Sequence, residues 1–327
     1  MYQQLILKYL HTNGIISDAL YNKIKEHLAS KLFSVHYELR LLLYLGVTML
    51  SSGLGILIYK NYQAIGHNII IMAVAAVSFS CLGYCMYKKK SFSTQHLLSP
   101  GIIFDYVALL GCLTFATLSG YLQFQYKIFG EHFGLMALVP CCVFFVCAYL
   151  FDHKGILSIA IAALYAWAGL SITPREIISE ASQSPTLFIY TGIVLGLAMA
   201  AASMASKKYD FKKHFEFTYA NFALHTLFIS TLSGLFNESF KVFYFLGLMV
   251  CMFGAIVHAI NEKSFYFFMC SIVYGYIGIS YGFITLLNQM NFFDPIFYFA
   301  YFIFSGWAVM RLLKDFRTKY KINDAVQ

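Results

Sequence analysis

The chain has 327 residues, 60% of them hydrophobic and 12% charged, with a mean hydropathy of +0.67. A soluble domain carries about 25% charged residues, so this chain has too little polar surface to face water all round and needs lipid to cover the rest. The net charge of +8 does not point to nucleic acid, because its Lys and Arg residues sit in short stretches beside apolar runs, where anionic headgroups are the expected partner.

In chain order, residues 1–39 read as a short helical hairpin on the cytoplasmic side. Asn13-Gly14 stops a first helix, and Ser17 caps a second that runs through Tyr21, Ile24 and Leu28 toward the membrane. The stretch Leu5 to Leu10 is interrupted by Lys8 and lacks a small-residue cleavage site, so it does not read as a signal peptide. The hairpin is too small for a core of its own. It reads as a topological lead-in, with a regulatory or partner-binding role as the alternative.

A membrane span needs about 20 mostly apolar residues. Residues 40–314 supply ten such stretches: Leu41–Tyr59, Asn68–Tyr87, Pro100–Leu122, Phe133–Phe151, Gly155–Ile172, Pro185–Ser206, Phe217–Phe236, Val242–Ile260, Ser264–Leu287 and Pro295–Leu313. Ser99-Pro100, Ser184-Pro185 and Asp294-Pro295 each place a capping side chain before a proline at a helix start. Pro140 falls inside the fourth span, where a kink is expected. Residues 315–327 form a cytoplasmic tail. The predicted fold class is therefore all-α, a polytopic transmembrane helical bundle of about ten spans.

Basic residues fix the expected orientation. With the N-terminus inside, the inner side holds Lys8, Lys23, Lys25, Lys31, Arg40, Lys88, Lys89, Lys90, Lys154, Lys207, Lys208, Lys212, Lys213, Lys263, Arg311, Lys314, Arg317, Lys319 and Lys321. Only Lys60, Lys127, Arg175 and Lys241 fall outside. Such a split, alternating with every loop, predicts an inner-membrane protein with both termini in the cytoplasm.

Glycines or small pairs recur near the outer ends of the inward-to-outward helices, at Gly53, Gly120, Gly169, Gly234 and Gly282, in steps of 113 to 116 residues between alternate members. The pattern suggests duplicated hairpins, or simply small residues where membrane helices approach closely. The eight cysteines, Cys81, Cys85, Cys112, Cys141, Cys142, Cys147, Cys251 and Cys270, all lie in apolar runs and are expected to be unpaired small hydrophobes.

Tyr44-Leu45-Gly46, Ser52-Gly53 and the run Ile58-Tyr59-Lys60-Asn61-Tyr62-Gln63-Ala64-Ile65-Gly66, with Leu10-His11-Thr12-Asn13-Gly14-Ile15-Ile16-Ser17 upstream, resemble the opening of a bacterial family of membrane proteins, domain of unknown function 2157. The resemblance covers roughly residues 1–90, with Tyr62 where tryptophan is usual. It implies a bacterial inner-membrane protein and supplies no activity.

Ionisable groups inside spans are functional hypotheses by default. Asp105 in the third span, Asn221 and His225 in the seventh (i, i+4 on one face) and His258 in the eighth all lie at similar depth in the inner half. They are the candidate ligand-binding residues, able to hold a polar or anionic solute if the helices bring them together. Each also has a structural reading: Asp105 at the positive end of its helix, His258 reaching the interface, His225 bonding a neighbouring helix. Asp294 is discounted as a cap.

No catalytic signature, metal-ligand cluster or cofactor motif is present. An enzyme is the less favoured class. The leading expectation is transport or permeation of a small polar solute or lipid. The alternatives are a membrane scaffold or sensor signalling through residues 1–39, and a lipid-modifying enzyme. Expected partners are the bilayer, a small polar solute and a homo-oligomer or membrane partner of unknown kind, with no nucleic acid and no cofactor. Reporter fusions after Ile172 and Leu313 should be active in the periplasm and the cytoplasm respectively. A C-terminal reporter active only in the periplasm would contradict an even number of spans.

Overall fold

A computed structural model describes residues 17, 20–21, 36–97, 99–172, 185–290 and 295–320. Ten long helices follow one another: α1 (His36–Ile65), α2 (His67–Lys88), α3 (Ile102–Tyr126), α4 (Leu135–Phe151), α5 (Lys154–Ile172), α6 (Pro185–Lys208), α7 (Glu216–Asn237), α8 (Lys241–Asn261), α9 (Phe265–Gln289) and α10 (Pro295–Lys319). One helix covers each expected span, and no strand occurs among the described residues. Seven of the helices are long and apolar enough to cross a membrane, while Leu41–Leu57 and Leu135–Phe151 are shorter apolar stretches. The protein is a polytopic helical membrane bundle.

The chain divides within α1 into two compact units, Met1–Ile56 and Leu57–Gln327. Of the expected lead hairpin, residues 1–39, only Ser17, Leu20-Tyr21 and residues 36–39, which open α1, are described. There Ser17 Oγ accepts from the Leu20 amide at 3.5 Å, the position expected of a cap. The rest of that hairpin, the loop carrying Arg175 and the tail beyond Tyr320 lie outside the described residues.

Proline opens α6 and α10 as expected, at Pro185 and Pro295. At the third span the expectation fails by two residues: α3 begins at Ile102 after Gly101. The Ser99 hydroxyl does not cap the backbone. It donates to Asp105 Oδ2 at 3.2 Å instead.

In the larger unit α2 pairs with α3, α4 with α5, α6 with α7 and α8 with α9. One core, around Phe144, Phe151, Ile156, Leu157 and Phe215, joins α2 to α7. A second, around Phe228, Leu232, Leu248 and Phe267, joins α6 to α10. Helices α6 and α7 contribute to both, and α7 also packs on α5, α8 and α9. Its buried residues include the consecutive triplets Thr218-Tyr219-Ala220 and Ser230-Thr231-Leu232. Three consecutive helical positions sweep about 200°, so neighbours cover more than half of α7's circumference.

Apolar helices gain nothing by leaving lipid for one another, so close backbone approach and polar contacts must hold a bundle together. The glycines that allow this approach are Gly192 and Gly196 of α6 against Ser230 and Leu227 of α7, and Gly275 and Gly278 of α9 against Met252 and Leu248 of α8. Of the five recurrent outer-end glycines, Gly234 meets Tyr244 and Gly282 meets Phe245, whereas Gly53, Gly120 and Gly169 face open space. The five positions therefore share no common packing role. All eight cysteines are unpaired thiols.

Gly196→Leu and Gly234→Leu should each lower stability in detergent by about 1–3 kcal/mol, the usual cost of overpacking, while Gly120→Leu stays near wild type. Thermal unfolding of the three variants checks the order.

Candidate functional site

Two polar groups stand out, one half-buried on the side of α7 that meets α9 and one at the end where the α2–α3, α4–α5, α6–α7 and α8–α9 connections meet. The first is built on α7 (Glu216–Asn237), which is not among the seven helices long and apolar enough to cross a membrane. Asn221 and His225 lie one turn apart on one face, as their spacing predicts. Two tyrosines of α9 meet them: His225 Nε2 lies 2.8 Å from Tyr266 Oη, and Nδ1 lies 2.9 Å from Tyr274 Oη. Tyr266 donates to Asn221 Oδ1 at 2.7 Å.

A phenol has one proton to give. Because Tyr266 gives its proton to Asn221, it must accept from Nε2–H, and Nδ1 must then accept from Tyr274. The result is a directed chain, Tyr274 to His225 to Tyr266 to Asn221, that closes with a neutral imidazole. Further along α7, Tyr149 of α4 and Tyr219 share a hydrogen bond of 2.8 Å, and Thr226 Oγ1 donates to Tyr165 of α5 at 3.0 Å. Tyrosines of three neighbouring helices thus meet the polar seam of α7.

The other two expected residues are held in different groups. His258, in the last turn of α8, places Nε2 3.4 Å from Glu216 Oε1 and packs its ring edge-on to Phe267 at 4.9 Å. Beside it Lys207 pairs with Glu262, and that lysine holds the Glu262 carboxyl below its ordinary range. Asp105 is buried and takes the Ser99 hydroxyl, with His153 Nε2 3.9 Å from its Oδ1. Asn221 and His225 are together because they share one face of α7, while similar depth on other helices left Asp105 and His258 with other partners.

The second group was not anticipated from the sequence. Asp152 ends α4 and Lys212 precedes the short 3-10 turn Lys213–Phe215. Their side chains are 2% and 1% exposed, with Lys212 Nζ 3.1 Å from Asp152 Oδ1. The Leu97 amide donates to Asp152 Oδ2 at 2.5 Å, and the Lys212 amide donates to Thr94 O at 2.8 Å. Three connections are therefore tied to one ion pair. Both partners have left-handed backbone, φ 59° at Asp152 and φ 50° at Lys212, a conformation that Asp tolerates better than Lys. The surrounding contacts hold that conformation in place.

His214 Nε2 lies 2.6 Å from Asp152 Oδ1 but is not aligned for a hydrogen bond, and its ring meets that of His96 at 4.5 Å. Burial pushes the His214 imidazole below its ordinary range, and the Asp152 carboxylate offsets this only in part. His153 caps α5 by accepting the Ile156 amide on Nδ1 at 3.1 Å, so in the neutral ring Nε2 carries the proton and faces Asp105. Among the described residues no three His, Cys, Asp or Glu side chains are placed to share a metal ion.

The opening of the chain has a recognised counterpart. Residues 8–157 match the family described as predicted membrane protein, domain of unknown function 2157. The match extends past the opening hairpin to the α4–α5 turn, so it takes in Asp105, Asp152 and His153 and stops before Lys212, His214, Asn221, His225 and His258. No curated protein and no solved structure matches the chain.

Removing one member of a buried pair leaves the other charge uncompensated, at a cost of about 3–5 kcal/mol. Lys212→Met should therefore be strongly destabilised in detergent, and Lys212→Met with Asp152→Asn should recover most of the loss. Denaturation of the two variants checks this. Equal stability would mean the pair carries no coupling.

Proposed function

We propose that the protein passes a small polar solute across a bacterial inner membrane, with both termini in the cytoplasm and Asn221 and His225 as the groups that hold the solute. The observation behind this reading is the hydrogen-bonded seam on α7. A central helix that carries an amide, an imidazole and several hydroxyls is costly to place in hydrocarbon. Their present partners are phenol hydroxyls, the same donor and acceptor chemistry that a small polyol or amide would offer. In this reading Tyr266 and Tyr274 occupy the solute's place in the closed state. Rotation of their side chains would free two ring nitrogens and one amide oxygen. The Asp152–Lys212 cluster keeps the cytoplasmic connections fixed meanwhile.

A second reading, a membrane-embedded scaffold, is favoured by the same seam. Both nitrogens of His225 already have protein partners, which is what structural glue between helices requires.

The two readings separate in vesicles. Proteoliposomes exposed to a glycerol or urea gradient should re-swell faster than protein-free vesicles by light scattering. Tyr266→Phe should speed entry by unlocking the seam, and His225→Ala should alter the ratio of the two solutes. Entry no faster than in protein-free vesicles for either solute, with Tyr266→Phe lowering only thermal stability, would leave the scaffold reading standing.

A further inference from the structure

At the end of the bundle opposite Asp152, a groove runs between the last turn of α7, the start of α8 and the last turns of α9. Leu235, Phe245, Ile279 and Leu286 give it apolar walls, and Lys241, Thr285 and Gln289 lie toward the helix ends. It encloses a volume of about 490 Å³, within the range of small-molecule sites. We propose that this groove binds one anionic phospholipid, with an acyl chain along the apolar wall and the phosphate on Lys241.

Length is the first argument. Ile279 to Gln289 spans ten helical rises, about 15 Å, and half of a hydrocarbon core of about 30 Å is the depth of one leaflet. Polarity is the second. The wall is apolar at depth and polar at the helix ends, the order of groups along a lipid.

The third argument is Lys241 itself. Its Nζ is fixed at the groove by a hydrogen bond of 2.9 Å to Tyr281 Oη and sits 5.4 Å from that ring's centroid. Among the described residues no carboxylate lies within 4 Å of Lys241. Glu238, three residues earlier, is engaged by the Thr186 hydroxyl at 2.5 Å. One of the three ammonium donors is used by Tyr281, which leaves two for a phosphate. Val242 and Leu286 are 74% and 55% exposed, so a lipid can enter sideways from the bilayer. A second protein helix laid in the groove would cover the Lys241 ammonium without supplying an anion, an expensive burial.

Native mass spectrometry of the full chain in detergent tests this, with dioleoyl phosphatidylglycerol and dioleoyl phosphatidylethanolamine as probes. The wild type should retain one phosphatidylglycerol about fivefold more strongly than phosphatidylethanolamine, roughly the worth of one lysine beside an anionic headgroup. Lys241→Arg should keep that preference, Lys241→Glu should abolish it, and Leu286→Trp should reduce retention of both lipids by filling the wall. Thermal unfolding should show all three variants folded, since the substituted side chains are exposed. Retention that Lys241→Glu leaves unchanged would overturn the proposal. So would a lipid-free dimer that Leu286→Trp dissociates, because the groove would then seat a second copy.

Discussion

Hydrocarbon offers a helix no hydrogen-bond partner, so each polar group that a span carries must find one inside the protein. Helix α7 carries the heaviest load, and the arrangement of its neighbours follows from it. Glycines on α6 bring that helix against Ser230 and Leu227, while α4, α5 and α9 each turn tyrosines toward it. Tyrosine suits this task because its ring packs as an apolar surface and its hydroxyl reaches a polar partner. The helix contributes to both apolar cores, and Asn221 and His225 bind it to α9 through Tyr266 and Tyr274.

The Asp152–Lys212 pair solves a related problem at the bundle's end. Loops between spans have few apolar contacts to order them, and long loops have many conformations to lose. A buried ion pair that also takes two backbone bonds, from Leu97 to Asp152 and from Lys212 to Thr94, ties the α2–α3, α4–α5 and α6–α7 connections to one point. The cost is desolvation of two charges and left-handed backbone at a lysine. Such an arrangement is worth little as net stability but resists alternatives, because any other loop conformation leaves a charge buried alone.

The ten helices were legible because hydropathy and the alternation of basic residues report the same boundaries independently. Even α7 was found, since Lys207, Lys208, Lys212 and Lys213 mark the connection before it and its apolar residues still outnumber the polar ones. The i, i+4 relation of Asn221 and His225 was also legible, being a property of one helix. Azimuth and helix adjacency were not. Depth placed Asp105 and His258 level with His225 but carried no information about which way each faced, and they joined Ser99 and His153, and Glu216, respectively. The tyrosine partners were hidden among 25 tyrosines, any of which could have been interfacial. Asp152, Lys212 and His214 read as ordinary loop charges. The one local signal was a charged residue within two positions of an aromatic at each connection, Phe151-Asp152 and Phe211-Lys212, which is weak evidence of burial. Glycines misled in the same way: Gly120 and Gly234 each end an identical Thr-Leu-Ser-Gly string, yet only Gly234 touches another helix.

The seam on α7 is closed but not inert. A salt bridge that seals a membrane interior resists opening because separation leaves two charges in low dielectric. Neutral hydrogen bonds separate at far lower cost, about 0.6 kcal/mol each on average between membrane helices, because the freed groups can bond water or solute. Two such bonds hold His225 to α9, and the directed chain through Tyr266 means that breaking the Nε2 contact also loosens Asn221. Among the described residues the ion pairs gather at the Asp152 end, where loops must stay put, while His225 is held within its span by neutral contacts.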